Sequence, residues 1–487
     1  MSCARDTRLL AMALWKALFL IICISVCQAK RSVVYPRILE SRDSDGHKVV
    51  SINDDISLRL SRTSVFAQPL TLLSYEGGEL KKKMINIDHI EDNLYRDLEH
   101  HAAIIIRETS AGTELQGTLK NKFRIKSLPL EPRVNGQVAH VLEEMADDET
   151  LGALDLGDYQ GHDPIDEEVG ATDRIEEDDR SADKPVPDTV YVELLVLSDP
   201  THMVDASLSE LIDYLAVYYT AMNMFYMLLT EPKVELRVVG ILNLKEQPPY
   251  MYTVRNKRGQ LVLVTGQTSK RFVNFLNDEL DSEKHYDGVV WMTALGIGKL
   301  KETRLIMVGG MTFGTMCGQR RLTMVPDYGS YGKTLYITAH ELGHVLGAPE
   351  DAAGKLPICR GVTGYTMSGH NGEGPIRVEF SECSQVHIRK LLSKQLGPKC
   401  WKTNFDYSKV INKGKESPGQ QRFLDTYCRK KRRAHLEIDA DSHCILMCCE
   451  DKNHKGPKCV QEITPNGTIC GKNKVCIKEI CVDKKRG

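Results

Sequence analysis

Apolar and polar positions alternate with period two in the first part of residues 30–187. SINDDISLRL (51–60) and AAIIIRE (102–108) read as strands, and GTLKNKFRIK (117–126) follows a turn. The pattern then dissolves into acid: residues 141–183 hold 17 Asp or Glu against Arg174 and Arg180. Such a run reads as a solvated linker. Order returns at PDTVYVELLVLSD (187–199), which reads as a buried strand after Pro187. ASLSELIDYLAVYYTAMNMFYMLL (206–229) is an amphipathic helix with a Ser/Asp-rich start. KVELRVVGILNL is a strand, SKRFVNFLNDEL a helix, YDGVVWMTA a strand and TLYITAHELGHVLG a helix. Alternating elements predict one α/β domain over 188–401.

Cysteine and charge divide the chain further. Residues 1–29 carry a basic lead (Arg5, Arg8), an apolar stretch from Ala17 to Val26 and small residues around Ala29, the pattern of a secretory signal peptide. Residues 30–187 contain no cysteine. Of 15 cysteines, 12 remain past residue 29, all at or after Cys317, an even set suited to six disulfides in an oxidising compartment. Residues 402–487 hold eight of them with 19 Lys or Arg against 11 Asp or Glu, a small basic module that needs staples. Past residue 29 no apolar run long enough to span a membrane occurs, so a secreted, extracellular chain is expected. A formal net charge of −2 gives no ground for nucleic-acid binding.

The chemistry concentrates at HELGHVLGAPED (340–351). His340 and His344, four apart on a helix, leave one face and reach one ion, with Glu341 beside them as general base. Zinc suits such a pair, acidifying water and polarising a carbonyl. Gly347 marks where the helix stops and turns, Pro349 blocks its resumption, and Met367 follows in GYTMSG.

These features resemble the metzincin zinc endopeptidases, within them the reprolysin or ADAM-type branch, and in particular secreted tick salivary metalloproteases. GGMTFGTMCG, HELGHVLGAP, GYTMS, FSECS and LGPKCW carry the likeness. It implies a twisted mixed sheet with helices around a cleft, a β-rich propeptide before it and a small disulfide-rich module after it. It implies ligands at His340 and His344, the base at Glu341, a Met-turn at Met367, and disulfides Cys317–Cys400 and Cys359–Cys383. It also implies a structural calcium site at Glu193, Asp287 and Asn404, the last one residue off its expected spacing.

The departure is Glu350, where the family carries histidine or aspartate. A carboxylate binds zinc, but it cancels part of the ion's charge and should leave bound water less acidic. Asp351 could replace it by a register shift, or point away and brace the turn; His370 is a more remote ligand. Two functions remain open. One is a secreted zinc endopeptidase acting on extracellular proteins, host haemostatic or matrix proteins if the tick likeness holds. The other is a weak or inactive homologue that binds partners through its tail. There, CRKKRR with its basic run 428–433 fits a glycosaminoglycan or anionic surface, and Asn466 begins an N-glycosylation sequon. No cysteine lies between Cys27 and Cys317, so a leader thiolate on zinc is excluded as a latency device.

Overall fold

The computed structural model describes residues 31–39, 48–145 and 189–394, with short gaps inside these stretches, and six strands between His435 and Asp483. The chain divides into two compact units. The smaller comprises 41–47, 98–100 and 412–487. Its described strands form two three-stranded antiparallel sheets, 435–438 with 445–450 and 458–463, and 469–471 with 474–477 and 480–483. Among the described residues no helix is long and apolar enough to cross a membrane.

The larger unit contains a nine-stranded antiparallel sheet built wholly from residues 31–144. The alternation expected from the sequence is realised there. Ile56, Leu58 and Leu60 are buried while Ser57 is exposed, and Ile104, Ile106, Leu115, Leu119 and Ile125 complete one apolar layer.

A seven-stranded mixed sheet forms the second layer. Its strands are β1 (Phe66–Glu76), β2 (Glu79–Ile85), β3 (Thr189–Ser198), β4 (Lys233–Asn243), β5 (Gly288–Thr293), β6 (Met311–Phe313) and β7 (Leu322–Pro326), in the order β6-β7-β5-β3-β4-β1-β2. The five inner strands run parallel; β6 and β2 close the two edges antiparallel. Strands β3 and β4 are buried nearly throughout, the charged Glu193, Glu235 and Arg237 included. Strands β1 and β2 come from the N-terminal block, and no local pattern in their residues announces that they join this sheet. A smaller four-stranded sheet (253–255, 261–264, 296–301, 304–308) lies in the same unit.

Among the described residues four longer helices accompany the sheets: α1 (Leu208–Tyr226), α2 (Thr265–Phe275), α3 (Lys333–Val345) and α4 (Glu382–Lys394). Helix α1 starts at Ser207, whose hydroxyl accepts from the Glu210 amide while Glu210 accepts from the Ser207 amide. The helix expected to be amphipathic is buried almost all round. One side meets α3 and the mixed sheet; the other is covered by the N-terminal sheet, where Arg107 reaches Asp213 at 2.6 Å. The second predicted helix runs on from α2 as a π-helical turn, Leu276–Leu280.

Candidate active site

Helix α3 is fixed from beneath by tyrosines of α1. Tyr218 donates to the Thr334 carbonyl at 3.0 Å, and Tyr226 donates to that of Ala339 at 2.8 Å. At its entry, the buried Asp327 carboxylate accepts from Tyr214 at 2.8 Å and from the Gly329 amide at 3.1 Å, and pairs with His202 at 3.1 Å. The helix ends at Gly347, whose φ of +87° suits glycine, with its amide donating to the His344 carbonyl at 2.9 Å. That turn sends the chain back toward the helix and delivers residues 348–351 beside it.

The two imidazoles sit with ring centroids 4.8 Å apart. Each has its Nδ1 against a carbonyl oxygen, His340 on Thr366 and His344 on Ala348, both at 2.8 Å. A carbonyl only accepts, so Nδ1 carries a proton and donates, leaving Nε2 to face the third group. That group is Glu350. Its Oε1 lies 3.1 Å from His340 Nε2 and 3.5 Å from His344 Nε2. One donor atom from each of the three residues falls within 4.8 Å of the others. Burial alone would raise the Glu350 pKa, but the two imidazoles outweigh it and hold the carboxyl well below the usual range. For His340, burial opposes the charged form, yet the hydrogen bond and charge of Glu350 push its pKa up to about 9.

A zinc ion suits this donor set on three counts. The ligand types are two imidazoles and a carboxylate. Both rings are oriented by outer hydrogen bonds through their other nitrogen. Glu350 Oε2 is buried without a hydrogen-bond partner among the described residues, a costly state for a carboxylate that a cation would relieve. Asp351 is directed elsewhere. Its Oδ1 accepts from Ser381 at 2.6 Å and Ser384 at 2.9 Å, bracing the turn.

Glu341 is buried on the same helix. Its Oε2 lies 2.8 Å from the hydroxyl of Thr312, on edge strand β6. Thr312 also approaches the Glu341 carbonyl at 2.9 Å and the Thr323 hydroxyl at 3.2 Å. It has one proton to give, and an ionised carboxylate is the strongest acceptor of the three. Gly310 lies so close that a Cβ there would come within 2.8 Å of Glu341 Oε1. The GGMTFG stretch therefore shapes the pocket of Glu341, through a glycine and a threonine that helix periodicity could not disclose.

Residues 256–404, which include Thr312, His340, Glu341, His344 and Glu350, match the Reprolysin (M12B) family of zinc metalloproteases. The chain carries a reprolysin-type metzincin protease. Relatives agree. A metalloproteinase of Tityus obscurus is 23% identical over 338 residues, covering 66% of this chain and 84% of its own. The venom metalloproteinase antarease-like TtrivMP_A of Tityus trivittatus is 23% identical over 405 residues, covering 78% and 95%. The human disintegrin and metalloproteinase with thrombospondin motifs 15 is 26% identical over 320 residues, covering 60% of this chain and 30% of its own. The protein is a zinc metalloendopeptidase with a metalloproteinase-like fold of mixed sheets and few helices.

Met367 is fully buried beneath α3; a Cβ at Gly343 would come 2.4 Å from its sulfur. Cys317 and Cys383 are disulfide-bonded, while Cys359 and Cys400 lie outside the described residues. Glu193 and Asp287 adjoin, the Glu193 amide donating to Asp287 Oδ2 at 2.9 Å. Burial, with the Glu193 charge adding to it, pushes the Asp287 carboxyl up to about 8. Asn404, His370, Asn466, the 428–433 run and the signal segment lie outside the described residues.

Proposed function

We propose that this is a secreted zinc endopeptidase in which His340, His344 and Glu350 hold the metal and Glu341 is the general base. The observation that carries the reading is the convergence of those three side chains beside a buried glutamate held by Thr312. Zinc bound there would supply a Lewis acid for the scissile carbonyl and a lowered pKa for the attacking water. Glu341 takes the proton of that water through the oxygen not engaged by Thr312, then returns it to the leaving amine. Edge strand β6, whose outer side has no partner strand among the described residues, offers backbone groups that can align an extended substrate.

Several finer points belong to the same reading. Residues 1–29 direct secretion, 30–187 form a leader with an acidic linker, 188–401 the protease and 402–487 a basic module that contacts substrates or anionic surfaces. The substrates are extracellular proteins; the venom setting named for the Tityus relatives supports that compartment. Calcium between Glu193 and Asp287 would favour their ionised forms and relieve the cost of burying two neighbouring carboxylates.

Glu350 alone favours the rival reading of an inactive binding homologue, and one variant separates them. Glu341→Gln is expected to reduce cleavage of a protein substrate by at least about 100-fold with zinc content and unfolding midpoint unchanged. Full activity in that variant, or none in the wild type with zinc bound, would contradict the assignment.

A further inference from the structure

The hairpin β1–β2 leaves the N-terminal sheet at one point and returns at the same point. The strands flanking it, Ile56–Arg62 and Leu94–Asp97, pair directly with each other. Between them the chain reaches out and extends the protease sheet. The Val238 amide donates to the Val65 carbonyl at 3.0 Å, and Gly240, Ile241 and Leu242 of β4 pair in parallel with Thr71, Leu72 and Leu73 of β1.

The contact has core character. Ala67 and Leu73 are buried in the same cluster as Leu195, Leu242, Phe272 and Trp291, with Tyr75 and Leu80 packed against it. Arg237 of β4, buried to 1% exposure, donates to the Ser64 carbonyl and pairs with Glu235 at 2.8 Å. Glu91, buried in the N-terminal block, accepts from the Val65 and Phe66 amides at 3.1 and 2.9 Å and fixes the base of the arm. A second contact lies on α1, where Arg107 meets Asp213. A third lies at the start of α3, where the Gly332 amide approaches the Met145 sulfur at 3.2 Å.

This geometry also places the arm away from substrate. β1 is five strands from β6, about 24 Å at ordinary strand spacing. A segment that docks on the far edge of the sheet does not have to leave for the cleft edge to be used. Removing it would bare an inner parallel strand, β4, to water and take the Ser64 carbonyl away from the buried Arg237.

We propose that residues 31–145 stay bound after the 146–188 segment is cut, as a non-covalent subunit that donates two strands to the protease sheet. The partner is thus this chain's own N-terminal block. The proposal rests on reading 30–187 as a leader that is cut, but its readout is association and does not depend on zinc or cleavage activity.

The test begins with the full secreted chain carrying a site-specific protease sequence within 150–180. It is cut after folding and passed through a sizing column at micromolar concentration. Co-elution of both fragments, separating only in denaturant, is expected. Hydrogen exchange should show the amides of 238–242 as protected in the cut protein as in the intact one. Arg107→Asp should speed dissociation of the cut pair by on the order of tenfold or more, and adding Asp213→Arg should reverse much of that. A protease fragment that elutes alone in native buffer, or loss of protection at 238–242 on cutting, overturns the proposal.

Discussion

At the scale of single residues, function turns on how one carboxylate is held. His340, His344 and Glu341 are legible in the sequence, because a helix of 3.6 residues per turn makes their spacing a statement about geometry. Glu350 is legible only as a departure; its place 3.1 Å from His340 depends on the turn at Gly347, which sequence names but does not steer. Thr312 is not legible at all, since its partner lies 29 residues away. Its hydroxyl restrains Glu341 Oε2 and, in the function proposed above, so positions the base. Thr312→Val is expected to lower kcat about tenfold with KM little changed, and Thr312→Ser to restore most of it. A change confined to KM, or no rescue by serine, would mean the hydroxyl only shapes the strand.

At the scale of elements, α3 is a platform whose glycines exist for contact. Gly343 faces Met367 and Phe380, where a Cβ would meet the sulfur at 2.4 Å and the ring at 2.8 Å. The Met-turn therefore packs directly on backbone beneath the two histidines. Gly343→Ala should cost about 1–3 kcal/mol by overpacking, read as a lowered denaturation midpoint with unchanged m-value. A neutral result would show that the turn yields freely and does not brace the site. The sequence marks the helix and its stop, but not this contact, because nothing in a glycine says which side chain lies above it. Helix α1 shows the converse: its pattern reads as one-sided, yet both sides are covered, the second by a sheet whose docking no local signal announces.

At the scale of the molecule, the N-terminal block and the protease share one sheet. The strands of residues 31–144 are foreseeable from alternation, and so are β3, β4 and β5 from their apolar runs. Their partnership is not, because period-two patterning fixes a strand's buried face and leaves its neighbours open. One consequence is practical. A chain starting at residue 188 lacks β1 and β2 and presents β4 as a bare edge. Expressed alone, residues 188–487 are expected to yield aggregated protein, whereas residues 31–487 yield a soluble monomer, as judged by sizing and light scattering. Equal solubility and equal unfolding midpoints of the two would remove the structural role given to the arm.

The zinc content of the purified protein bears most directly on the active site. Elemental analysis after equilibration with micromolar zinc at neutral pH and removal of the excess should find one zinc per wild-type chain. It should find a large loss in Glu350→Ala, and retention in Glu341→Gln. A wild-type protein without zinc, or an undiminished content in Glu350→Ala, would contradict a metal held by His340, His344 and Glu350.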